Sequence, residues 1–156
     1  GSHGSLWKLD RYGKFTVIEP ITSGMPNGMG FSPDRSFFYF TVTDERKIYR
    51  YRYQRETGTV SDREIFIRVS ENEGLPDGLT VDCDGGIWSA QWNGHRLVQY
   101  SSAGVKIQEY FFPIAKISSV TFGGPEYSEI YVSTANYPYD NRTYEENGAG
   151  DIFQLR

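Results

Sequence analysis

Cysteine is almost missing from this sequence: Cys83 stands alone among 156 residues. A lone thiol forms no internal disulfide, so a small disulfide-stapled framework is excluded. The two histidines, His3 and His95, are far apart, and no Cys/His cluster exists that would select zinc. The flanks of Cys83 carry no basic side chain to activate a thiolate, so it reads as a reduced, half-buried strand residue. Also absent is any Lys/Arg block; with a formal net charge of -4, the chain is unsuited to nucleic acid or an anionic membrane surface. No apolar run approaches the roughly 20 residues needed to span a bilayer, which points to a soluble, cytoplasmic protein. Alanine and leucine, the usual helix fillers, are scarce.

What the chain does have is glycine (17), tyrosine (12), phenylalanine (10) and tryptophan (3), a composition of turns and strands. The class is all-β. Within it, Pro26-Asn27-Gly28 and Pro76-Asp77-Gly78 recur 50 residues apart, each followed by a short apolar strand. A period of that size, with strand-turn-strand patterning and no helical run, marks β-propeller blades of four antiparallel strands.

On this frame the spacing predicts inner-to-outer strands at 28–32, 37–43, 47–53 and 61–69, then 78–82, 86–92, 96–101 and 106–112. A third unit predicts 119–123, 129–134 and 151–155. The alternation of Ile48, Arg50 and Arg52 with Tyr49, Tyr51 and Tyr53 is the two-residue period of a strand with unlike faces, and those arginines and tyrosines read as a solvated blade face. Ahead of the first whole unit come two strands only, 5–9 and 14–19. The domain organisation is thus a tag-like remnant at 1–3, then a half-propeller at 4–156: a partial blade (4–20), two blades (27–69 and 77–112) and a last blade (118–156) containing a long loop, 135–150. An open arc of about three blades leaves faces wet and edges unpaired, so something must cap it.

Several strings carry a resemblance. Gly4-Ser5-Leu6-Trp7 is followed by Pro26-Asn27-Gly28 with Phe31-Ser32-Pro33-Asp34, then by Gly74-Leu75-Pro76-Asp77-Gly78-Leu79 and Gly85-Gly86-Ile87-Trp88. Last come Ser119-Val120-Thr121-Phe122-Gly123-Gly124-Pro125 and Tyr131-Val132-Ser133-Thr134. In this order they resemble the C-terminal half of the senescence marker protein, gluconolactonase and luciferin-regenerating enzyme family, which includes regucalcin. The resemblance implies a six-bladed propeller of about twice this length that binds one divalent metal in its central channel. Where enzymatic, such proteins hydrolyse sugar lactones or related esters.

By that similarity Asn27 and Asp77 are metal ligands and Asp77 the general base. Their oxygens are hard donors suited to Ca²⁺ first, with Mg²⁺, Mn²⁺ or Zn²⁺ as alternatives. The bland reading is that both tripeptides are merely good turns; glycine after each ligand is expected to let the backbone turn sharply into the strand. Ser118 holds the equivalent third position. Loops between second and third strands should open on the same end of the channel, which nominates Asp44, Trp92, Asn93, His95 and Asn136 as rim residues, with His95 equally a plain turn histidine. The tyrosine-rich loop 135–150 is either a lid or an exposed loop, and Asn141-Arg142-Thr143 fits the glycosylation pattern.

The chain departs from the family in one respect. The N-terminal half, which in the family supplies a glutamate ligand and the substrate-holding arginine and asparagine, has no counterpart here. Either this is a piece of a longer enzyme, or two half-rings pair about a two-fold axis into a homodimer or larger assembly. Two functions follow: a metal-dependent lactonase or esterase-type hydrolase acting on a small lactone or ester, and a non-catalytic calcium- or small-molecule-binding propeller module.

Overall fold

The computed structural model describes residues 4–21, 24–137 and 148–155. The tag-like residues 1–3, most of the tyrosine-rich loop and the 141–143 triplet lie outside them.

Among the described residues thirteen strands form four antiparallel sheets in chain order. Strands β1 (Gly4–Leu9) and β2 (Phe15–Ile21) make a two-stranded ribbon. The first whole blade holds β3 (Pro26–Phe31), β4 (Phe37–Val42), β5 (Lys47–Gln54) and β6 (Thr59–Arg68), and the second holds β7 (Leu75–Val81), β8 (Ile87–Trp92), β9 (Arg96–Tyr100) and β10 (Lys106–Phe111). The last sheet contains β11 (Ile117–Gly123), β12 (Glu129–Thr134) and β13 (Ile152–Leu155). Each sheet is a meander, because every connection is a short reversal carrying Gly, Asn, Asp or Pro, apart from the long loop before β13. The blade architecture expected from the repeat is therefore the one observed.

Between the sheets lie three apolar cores, and the pleat explains them. Along β4, Phe38, Phe40 and Val42 point toward the ribbon and pack with Leu6, Tyr49 and Tyr51. Tyr39 points the other way, joining Ile48, Leu79, Ile87 and Val98 between the two whole blades. Trp88 and Ala90 leave β8 on its far side and meet Ile117, Val120 and Val132. Each of the two whole blades is thus packed against a neighbour on both faces. The side chains of β5 that read as solvated are packed in part: Arg52 is exposed, but Tyr49 and Tyr51 are buried, and on the other face the Arg50 guanidinium lies 4.6 Å from the Phe37 ring centroid and 4.5 Å from that of Phe66 while pairing with Glu64 at 2.7 Å. Arginine suits this place because its long stem buries along aromatic surface while its head reaches the blade margin.

Cys83 departs from expectation. It is exposed, because the Asp82 carboxylate organises the β7–β8 reversal beneath it, accepting from the Asp84 and Gly86 amides at 3.1 and 2.7 Å and from Trp88 Nε1 at 2.8 Å. That Asx arrangement leaves residue 83 at the tip.

One side chain carries the chain from the first blade into the second. Arg46 Nη1 donates to the carbonyls of Ser70 (2.9 Å), Glu73 (3.2 Å) and Gly74 (3.2 Å). These carbonyls, of which that of Ser70 also accepts from the Glu73 N–H at 3.1 Å, tie the entry of β7, which bears Asp77, to the first blade.

Candidate functional site

Each inner strand breaks register at the same station. In β3, Pro26 pairs with Val42 and Met29 with Phe40; in β7, Pro76 pairs with Gln91 and Leu79 with Ser89; in β11, Ile117 pairs with Thr134 and Ser119 with Ser133. One extra residue is inserted each time, so each site is a β-bulge, which frees a residue from the ladder and re-aims its side chain. Asn27, Asp77 and Ser118 sit at these bulges. They were expected in loops entering the inner strands; they lie within β3, β7 and β11, whose starts come two to three residues earlier than the composition of Pro-Asn-Gly and Pro-Asp-Gly suggested.

The glycine after each candidate ligand also has a different use from the one expected. Neither Gly28 nor Gly78 carries a positive φ. A Cβ on Gly28 would fall 2.3 Å from the Leu79 amide nitrogen, and one on Gly78 would fall 2.5 Å from Ser119 Oγ and 2.7 Å from the Ser118 carbonyl. Glycine here lets neighbouring inner strands approach around the axis, the crowding a propeller hub imposes.

That approach sets the Asn27 side-chain amide near the Asp77 carboxyl, whose pKa it lowers. Asn27 Nδ2 also donates to Thr43 Oγ1 at 3.2 Å, and Thr43 Oγ1 donates to the Pro76 carbonyl at 2.8 Å. Burial pushes the Asp77 carboxyl up to about 6, with the Asn27 bond acting in the opposite sense. Ser118 is held within its own blade, its Oγ 2.9 Å from Ser133 Oγ and 3.1 Å from the Ser133 carbonyl.

The rim candidates lie at the same end of the sheets. Thr43, next to Asp44, donates its backbone N–H to Met25, and Trp92 pairs with Leu75 at the mouth of β7. Asp44, Asn93, His95 and Asn136 are exposed; Trp92 is half-buried, with the Lys116 ammonium 5.8 Å from its ring. Asn93 and His95 both adopt left-handed backbone, φ 57° and 55°, and the His95 backbone pairs with Ala115 and Phe112. Among the described residues no side-chain hydrogen bond joins these five to Asn27 or Asp77. Thr43 is the residue that sequence reasoning passed over. Its signal was a pair of hydroxyls, Thr41 and Thr43, closing an otherwise aromatic strand, with polar Gln91 standing 50 residues after Thr41 in the next repeat.

Two oxygen donors of different charge, side by side and partly desolvated, fit a hard divalent cation completed by water. Among the described residues no group of three His, Cys, Asp or Glu side chains could hold a metal. Nor is any helix among them long and apolar enough to cross a membrane.

Comparison with known proteins places the arrangement in context. Residues 1–136 match the family model described as the SMP-30/Gluconolactonase/LRE-like region. A pentonolactonase of Haloferax volcanii, XacC, is 45% identical over 97% of this chain and 54% of its own length, and the regucalcin of Xenopus laevis is 34% identical over 86% of this chain and 45% of its own. Among solved structures, a calcium-binding regucalcin from Agrobacterium tumefaciens superposes with a TM-score of 0.88 at 29% identity, over 97% of this chain and 51% of that one. A luciferin-regenerating enzyme gives 0.87 at 26% identity, covering 96% and 50%. The chain spans about half the length of the relatives it matches.

Proposed function

Because this chain belongs to the SMP-30/gluconolactonase/LRE-like family, we propose that it carries one half of a divalent-cation-dependent lactone hydrolase, with a sugar lactone or related ester as substrate. The observation that supports this most is the placement of Asn27 and a half-buried Asp77 at matched bulges of adjacent blades. Asn27 Oδ1 and the Asp77 carboxylate would hold the cation, Ca²⁺ first among the candidates. When bound, it would supply Lewis acidity toward the lactone carbonyl.

The chain's own contribution is proton handling. In the cation-free chain burial raises the Asp77 carboxyl to about 6; as the base, Asp77 would accept the proton of the attacking water. Water adds to the lactone carbonyl carbon through its oxygen and gives its proton to Asp77. The ring carbon–oxygen bond then breaks, and Asp77 returns the proton to the departing ring oxygen. One water is consumed and one hydroxy acid released. Trp92, half-buried at the rim beside Lys116, offers an apolar face for a sugar ring.

A second reading rests on the likeness to the calcium-binding regucalcin of A. tumefaciens: a module that binds cation or small molecule without turnover. Calorimetric titration with Ca²⁺, Mg²⁺ and Mn²⁺, followed by a pH-stat assay on an aldonolactone, separates the two. The hydrolase reading expects turnover that Asp77→Ala lowers by roughly 10²-fold or more. Cation binding with no turnover favours the second reading; turnover that survives Asp77→Ala removes that residue from its role.

The assembly proposed with this function is a closed ring of at least two chains. Trp7 and Phe15 on the ribbon and Met29 and Phe31 on β3 are exposed, apolar surface that a second copy would cover.

A further inference from the structure

The Thr43 hydroxyl has one proton and two acceptor lone pairs. Its neighbour on one side, the Pro76 carbonyl at 2.8 Å, can only accept, so the hydroxyl proton is committed there. Toward Asn27, 3.2 Å away, Thr43 therefore presents a lone pair and nothing else. An amide facing it must turn its NH₂ group that way, and a planar amide then turns Oδ1 to the opposite side. The second Nδ2 proton is left free on the side of the nearby Asp77 carboxyl, whose pKa the amide lowers. Thr43 itself has little freedom: it is buried, 6% exposed, and its backbone N–H is bonded to the Met25 carbonyl at 3.0 Å.

Pro76 is the residue immediately before Asp77, so the same hydroxyl touches both halves of the candidate site. It sets the face of the Asn27 amide in the first blade and ties down the backbone that delivers Asp77 from the second. We propose that Thr43 is a positioning residue that turns Oδ1 of Asn27, rather than Nδ2, toward the cation and sets how far Asp77 stands from it. The proposal rests on the reading of Asn27 and Asp77 as a cation site. Hydroxyl chemistry is required and bulk is not: serine can replace threonine, whereas valine, its isostere, cannot.

Three variants and two measurements test it: Thr43→Ser, Thr43→Val and Thr43→Ala, the last two differing in volume but both lacking the hydroxyl. Calorimetry with Ca²⁺ is expected to show a Kd within about 3-fold of wild type for serine. For valine and alanine it should be weaker by roughly 10-fold or more, the usual effect of removing an outer partner of a metal ligand. In the cation-free protein, the Asn27 side-chain amide is read by ¹⁵N–¹H NMR. Wild type and serine should give a protected pair with unequal proton shifts; valine and alanine should move that pair toward exposed-asparagine values with exchange about 10-fold faster. An unchanged amide signature in both hydroxyl-less variants overturns the proposal, and so does an unchanged Ca²⁺ Kd. If wild type binds no divalent cation, the metal reading fails by itself, and the amide signature still decides whether Thr43 sets the Asn27 face. If the valine variant does not fold, alanine carries the comparison.

Discussion

At Asp77 the fold and the chemistry pull in opposite directions. Its carboxyl titrates near 6 in the folded chain against an ordinary value of 3.8, chiefly through burial. An acid whose pKa is raised on folding keeps its proton longer in the native state. As pH rises from about 4 to about 6, the unfolded chain therefore releases this proton first, and the contribution of Asp77 to stability falls across that window before levelling off. Asp77→Asn abolishes the slope. After allowing for solvent screening, the variant should gain about 1–2 kcal/mol at pH 7, measured by urea denaturation at pH 4.5 and 7, while hydrolysis is lost. A variant no more stable than wild type at pH 7 would mean that the burial cost is already offset. Asn27 and Asp77 were legible because proline, an oxygen-bearing side chain and glycine recur at one spacing. Thr43 was harder to read: two hydroxyls closing an aromatic strand mark the place, but the bridge to a carbonyl 33 residues away is set by tertiary pairing.

The elements themselves were readable through period and turn chemistry, and their misreading is confined to one place. Pro-Asn-Gly and Pro-Asp-Gly have the composition of a reversal, so the inner strands were begun after them. A bulge draws on the same residues as a turn, because both need a break in the ladder and a small neighbour. Only the tertiary pairing, Pro76 with Gln91 and Leu79 with Ser89, tells them apart. The packed face of β5 escaped for a related reason: alternating Arg and Tyr give no sign that Phe37 and Phe66 sandwich Arg50. Gly78→Ala tests the hub. Its new methyl would lie 2.7 Å from the Ser118 backbone oxygen, which can yield only by pushing β7 and β11 apart. The expected cost is about 1–3 kcal/mol, read as a lowered urea midpoint. A neutral result would show that the inner strands are not in close contact.

For the whole molecule, the repeat announced the architecture, since units 50 residues apart with matched signals have few other solutions. Closure was not legible, because it depends on what meets β1–β2 at one margin and β11–β13 at the other. These sheets hold two and three strands, and their open edges and exposed apolar side chains should drive association. Light scattering is expected to give a mass of at least two chains. A monodisperse single chain across a tenfold dilution would refute the paired half-ring.

The matched register slips separate what is displayed from what displays it. Asn, Asp and Ser occupy equivalent stations on strands of the same construction, so the frame tolerates an amide, an acid or an alcohol at its centre without being rebuilt. A lineage using this scaffold can exchange one reactive group for another by single codon changes and leave the inter-sheet cores untouched. Diversification of substrate would then proceed without passing through poorly folded intermediates.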